Sequence, residues 1–150
     1  MLKAMTLLDA PQYDLARQRR RRIVLALAIA GVLILVALGW MYRHWPQEHL
    51  VSQFFTALEN KDYERAYAIY FHDPAWQQHT QKYSQYTYSD FYRDWGPSGE
   101  WGYIKSHKIY GSAGSDAGTG VIVEVIINGR AEHARLFVQK SDKTLSVYPY

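Results

Sequence analysis

The sequence predicts an α+β protein: one membrane-spanning helix near the N-terminus, then two or three helices packed on an antiparallel sheet. Three observations predict it. The run Ile23–Tyr42 holds no charge and no proline. Between Leu50 and Tyr70 apolar residues recur at helical spacing, and beyond Gly102 the alphabet changes to alternating β-branched residues around an Asn-Gly turn. A chain of 150 residues has room for one small domain besides the apolar run.

The apolar run comes first. Its twenty residues cover about 30 Å as a helix, the thickness of a bilayer's hydrocarbon core. Ile23 opens it, Leu33 sits near its middle, and Trp40 and Tyr42 close it where amphipathic rings suit the headgroup level. Trp45 extends that belt. The run is longer and later than a cleaved signal peptide's apolar core, so it is expected to stay as an anchor. Ala26, Ala28, Ala30 and Gly31 are small enough for helix contact, but lipid-facing alanine explains them as well.

Charge gives the orientation. Residues 1–22 hold Lys3, Arg17 and Arg19, Arg20, Arg21 and Arg22 against Asp9 and Asp14, whereas only Arg43 lies just beyond the run. The arginine run therefore serves as a topology signal, with some attraction for anionic lipid. It places residues 1–22 in the cytoplasm and the C-terminal domain outside it, in a bacterium the periplasm, with the anchor in the inner membrane. The expected divisions are a tail over 1–22, a span over 23–42, a linker over 43–47 that keeps the domain near the bilayer, and a domain over 48–150. The net charge of +3 and pI near 9 belong to the tail. The domain itself is slightly acidic, which argues against nucleic acid as a partner. With no cysteine, thiolate metal sites, disulfides and cysteine nucleophiles are all excluded.

Pro46 marks the exit from the span. Leu50, Val51, Phe54, Phe55 and Leu58 fall on one helix face. Asn60-Lys61 breaks the pattern, and Asp62 can cap a second helix burying Tyr63, Ala66, Tyr67 and Tyr70, which His72-Asp73-Pro74 ends. Ser89 or Asp90 can open a third, short helix closed by Gly96-Pro97. Strands are expected over Gly102–Tyr110, Gly120–Ile127 and Thr144–Tyr148, with Gly111–Gly118 as a loop. Asn128-Gly129 predicts a two-residue hairpin pairing Ile127 with Arg130 and Val123 with Ala134. That register puts Val121, Val123 and Val125 on one face with Ala134, Leu136 and Val138, and sets Glu124 opposite His133, with Arg135 nearby, on the other.

The stretch Leu50-Val51-Ser52-Gln53-Phe54-Phe55-Thr56-Ala57-Leu58-Glu59-Asn60-Lys61-Asp62-Tyr63-Glu64-Arg65-Ala66-Tyr67 resembles the opening of nuclear transport factor 2-like domains. Such domains begin with an apolar helix, a short acidic break and a second helix ending in Ala-Tyr. Asp90-Phe91-Tyr92-Arg93-Asp94-Trp95-Gly96 looks like them too. The resemblance covers roughly residues 47–149 and implies a cone: helices wrapped by a curved antiparallel sheet. It is strongest to membrane-tethered envelope members.

Enzymes of that superfamily, steroid isomerases and small dehydratases, use a carboxylate or histidine base inside the cone, with tyrosine or a second acid as donor. Asp90, Asp94, His107 and His133 are available, but no spacing pairs a base with a partner, so no catalytic residue is assigned. Glu124, His133 and Arg135 read as a solvated cross-strand cluster. His72, Asp73 and His79 straddle a helix break and match no ligand spacing, so no metal and no cofactor are expected. What remains is aromatic. Trp76, Tyr83, Tyr86, Tyr88, Phe91, Tyr92, Trp95 and Trp101, with glutamines between, form a candidate interaction surface, and core packing explains the same residues.

The functional expectation is a non-enzymatic interaction or assembly module, an accessory subunit held against a larger membrane complex of respiratory or photosynthetic type. Its partners would be the lipid bilayer and integral membrane proteins. Self-association into a homodimer through the sheet face is a further possibility. The alternative is a small-molecule-binding or isomerase/dehydratase-like protein using the cone pocket.

Overall fold

The computed structural model describes residues 15–148; most of the N-terminal tail lies outside the described residues. The chain divides into two units, residues 1–42 and 43–150. The first contains α1, Leu15–Met41, a helix of 27 residues that buries none of them. By length and composition it is able to cross a bilayer. The helix takes in Arg17 to Arg22 and the apolar run as far as Met41, so Arg19–Arg22 stand near its start and Tyr42 lies just beyond its end.

The second unit opens with α2, Trp45–Glu59. Trp45, Pro46 and Gln47, expected in the linker, already form its first turn. Proline is tolerated there because that N–H has no partner within the helix anyway. Val51, Phe54, Phe55, Ala57 and Leu58 are buried on one face. The end of α2 is a Schellman motif: Asp62 N–H donates to Ala57 O (2.9 Å) and Lys61 N–H to Leu58 O (3.0 Å), with Lys61 left-handed at φ 58°. Asp62 then accepts from Arg65 N–H (3.1 Å) and caps α3, Tyr63–Tyr70. A second Schellman motif ends α3, with His72 at φ 50° and Asp73 N–H on Ala68 O (2.9 Å).

Two short 3-10 turns, Trp76–Gln78 and Thr80–Tyr83, lead to α4, Tyr88–Trp95. Its cap is Thr87 rather than Ser89 or Asp90. Thr87 Oγ1 accepts from Asp90 N–H while Asp90 accepts from Thr87 N–H, a reciprocal capping box.

The sheet is a four-stranded antiparallel meander in the order β1 (His107–Gly114), β2 (Gly120–Ile127), β3 (His133–Gln139), β4 (Leu145–Val147). The first strand begins later than expected. Gly102 turns the chain at φ 60°, and the amides of Lys105 and Ser106 are taken by Asn128 Oδ1 (2.7 and 3.2 Å), not by a neighbouring strand. It also runs further, into the residues expected as a loop, with a bulge at Tyr110 that brings Ser112 opposite Val123.

The β2–β3 register differs by two residues from the expected one. The Asn128-Gly129 turn forms, with both φ angles positive and Arg130 N–H on Ile127 O at 3.0 Å. Arg130 then leaves the ladder, its guanidinium bonding Glu100 O and Trp101 O (3.2 and 3.4 Å), and pairing resumes at Ile126↔His133. Glu124 is therefore opposite Arg135. A slip of two preserves the alternation, so Val121, Val123, Val125, Ala134, Leu136 and Val138 still share the buried face. That face and the apolar sides of α2, α3 and α4 enclose one core. Phe54 stands edge-on to Trp95 at 5.1 Å, and Tyr67 packs against Phe91 at 5.3 Å.

Candidate functional site

The aromatic stretch splits on burial. Phe91 and Trp95 sit four apart on the inner face of α4, fully and almost fully buried, and Tyr83 and Trp101 are buried beside them. These four offer no surface. Trp76, Tyr86 and Tyr88 are half-buried against the same core, leaving Tyr92 exposed at 43%. An expected contact surface is thus mostly interior, because successive rings in Tyr67's neighbourhood pack edge-to-face on one another.

Two tyrosine hydroxyls in this region, those of Tyr83 and Tyr86, are held by carboxylates. Tyr83 OH donates to Asp73 Oδ2 (2.6 Å), which also receives His79 Nδ1 at 2.8 Å, while Ala75 N–H bonds Oδ1. The Tyr83 hydroxyl and His79 together hold the Asp73 carboxyl at about 2, and burial pushes Tyr83 up to about 12. His79 meets Asp73, but no contact joins His72 to them, so the His72–Asp73–His79 trio is not gathered. Among the described residues no group of three such side chains is placed to hold a metal ion. Glu124 Oε1 does meet His133 Nδ1 (3.1 Å) and Arg135 Nε (3.7 Å), as a cross-strand cluster on the outer face of the sheet.

Two further sites bring polar side chains together beside a concavity. One is a cleft of about 440 Å³ where the end of α4 and the following loop face β3 and β4. Trp95 and Trp101 give it apolar walls, and Tyr86, Asp94, Arg93 and Arg135 stand around it. Tyr86 OH donates to Asp94 Oδ2 (3.0 Å), and burial, then Asp94, raises the Tyr86 hydroxyl strongly, so it is a donor at any physiological pH. Arg93 Nε bonds the other Asp94 oxygen at 3.3 Å.

The other site joins α2 to β1. Ser52 and Glu59 lie seven residues apart, two turns of α2, hence on one face and about 10 Å apart along the axis. His107, at the start of β1, bridges them: Nε2 is 2.9 Å from Ser52 Oγ and Nδ1 is 2.6 Å from Glu59 Oε1. Its ring stacks on Phe55 at 5.6 Å and its side chain is 12% exposed. Ser52 also borders a small pocket of about 160 Å³ lined by Gln53, Thr56, Asn60, Asp62 and Arg65, which His107 and Glu59 do not line. One turn earlier, Glu48 Oε1 accepts from Ser112 Oγ (2.6 Å), a second polar tie between the same two elements. Of these residues only His107 stands out in the sequence. A Ser-x6-Glu spacing is too common to signal anything until a strand supplies the imidazole.

No family model matches the chain, and neither the curated proteins nor the solved structures searched contain a match to it.

Proposed function

We propose that the chain is a membrane-anchored envelope protein whose extracytoplasmic domain serves as an interaction or assembly module, an accessory subunit of a larger membrane complex. One observation carries the reading: every side chain of α1 from Ile23 to Met41 is exposed, while the second unit buries a complete apolar core of its own. Nothing among the described residues covers this helix, which is apolar on all sides, and hydrocarbon is the solvent that suits it. Trp40 and Tyr42 would lie at one headgroup layer and Arg19–Arg22 at the cytoplasmic one. The helix–helix–helix–meander order supports a nuclear transport factor 2-like cone in the periplasm. In that cone the interior is filled by Phe54, Phe55, Tyr67 and Phe91, which leaves function to its surface. Purification of the tagged full-length chain in mild detergent is expected to recover integral membrane partners in fixed proportion. A monodisperse monomer, free of other polypeptides, overturns the assembly role.

The cleft beside α4 favours a second reading, a small-molecule site. Its volume falls within the roughly 300–1,000 Å³ of ligand pockets, and it combines apolar walls with a few convergent polar groups. Its isomerase- or dehydratase-like form would use Asp94 as base with Tyr86 as donor. Conversion of a steroid enone or a hydroxy acid that is lost in Asp94→Asn, with the fold intact, is the result this reading requires. Equal turnover by wild type and variant ends it.

A further inference from the structure

We propose that Ser52, His107 and Glu59 form a reactive-serine centre that takes an acyl group from a small activated ester. This goes beyond the assembly role and rests on different residues. The three side chains meet the geometric signature of an activated nucleophile: hydroxyl to base at 2.9 Å, base to orienting carboxylate at 2.6 Å. The carboxylate fixes the tautomer. Glu59 is an acceptor, so Nδ1 carries the imidazole proton, and Nε2 presents its lone pair to the Ser52 hydroxyl. Phe55 beneath the ring and the regular backbone of α2 hold base and nucleophile in register without any loop.

The surroundings define the substrate. The pocket at Ser52, about 160 Å³, is smaller than the roughly 300 Å³ at which drug-sized sites begin, so it admits a short acyl chain and excludes a bulky one. Ser52 lies inside a helix, where backbone N–H groups are spent on carbonyls four residues back. Donors for a developing oxyanion must therefore be side chains; Gln53, Asn60 and Arg65 line the same pocket, with the Asp62 carboxylate beside them occupied by Arg65 N–H. The step balances without a further reagent. Ser52 Oγ bonds to the carbonyl carbon as its proton passes to His107 Nε2. Collapse of the tetrahedral adduct breaks the ester C–O bond, and His107 returns the proton to the leaving alcohol. Water can then release the acid by the same path. A purely structural tie between α2 and β1 accounts for the bonds but not for the opening of Ser52 onto a pocket with donors.

The test uses the full chain in detergent micelles with 4-nitrophenyl acetate, following nitrophenolate release and locating acetyl groups by peptide mass spectrometry. Acetyl is expected on Ser52 in wild type and on no residue at that rate in Ser52→Ala. Acylation is expected to slow roughly 100-fold or more in His107→Gln, the loss typical of a missing general base. Glu59→Gln is expected to slow it as well while the unfolding midpoint holds, a separation that a structural role for Glu59 does not produce. Ser112→Ala, which removes the neighbouring tie, leaves the rate unchanged. Two results overturn the proposal: Ser52 unacetylated in folded wild type, or acetylated equally fast in folded Glu59→Gln. Partner recovery is indifferent to Ser52→Ala, so failure here and failure of the assembly role are read separately.

Discussion

Single residues hold the connections of the domain where backbone pairing does not. Asn128 accepts from Lys105 and Ser106 N–H through Oδ1, donates through Nδ2 to Tyr103 O (2.9 Å), and itself occupies the left-handed region at φ 52°. Asn128→Ala loses all three bonds and strains the turn, and is expected to destabilise by about 2–4 kcal/mol in urea unfolding. Asn128→Asp keeps the acceptor and the conformation, and is expected to cost less than half as much. Asp73 sets a pH dependence. Its carboxyl is held at about 2 in the folded chain against an ordinary 3.8, because the Tyr83 hydroxyl and His79 favour the anion. A depressed pKa stabilises the fold above the ordinary value and loses that contribution as pH falls through about 2. Asp90 and Asp142 shift in the same direction through bonds from Thr87 and Thr144. The comparison is therefore between wild type and Asp73→Asn: the variant is expected to lose stability less steeply than wild type as pH is lowered from 4 towards 2, measured by urea midpoints.

At the scale of elements, helix ends decide where the chain turns. Both α2 and α3 finish in Schellman motifs whose left-handed position is a lysine or a histidine where glycine is the usual occupant. His72→Gly removes the clash of Cβ with the following carbonyl, and is expected to raise stability by about 1 kcal/mol in chemical unfolding. At the start of α4 the capping box ties Thr87 to Asp90, and Thr87→Ala is expected to cost about 1 kcal/mol in the same measurement. The sequence exposes most of these stops. Asp62 stands before an apolar period, and Pro74 and Pro97 follow the helices they close. Thr87 escapes because Ser89 and Asp90 offer equally good caps two and three positions away. Residue type alone does not choose between them; the choice falls to the position that lets Phe91 and Trp95 reach the core.

On the scale of the whole molecule, the described residues form an apolar helix and a closed α+β domain, and in the proposed topology the arginines of α1 carry the orientation. Replacing Arg19, Arg20, Arg21 and Arg22 with serine is expected to yield a mixed population in the membrane. Protease protection of the domain in spheroplasts, complete in neither direction, is the measurement that reveals it. Wild type is expected to show one orientation, with the domain cleaved from outside.

Sequence alone determined the features that depend on near neighbours. The apolar run is legible because solvent preference sums along consecutive residues, and helix faces and strand faces follow from periods of 3.6 and 2 that any short window contains. The face of the β2–β3 hairpin was legible too, since a slip of two keeps its parity; the register was not, because Arg130 is drawn off the ladder by carbonyls some thirty residues earlier. Tertiary structure decided which aromatics became core and which stayed at the rim. It also brought His107 to Ser52 and Glu59 across 55 and 48 positions of sequence. Contacts of that span arise only when a helix face and a strand edge are packed together, and no local pattern encodes which of many polar side chains will then meet.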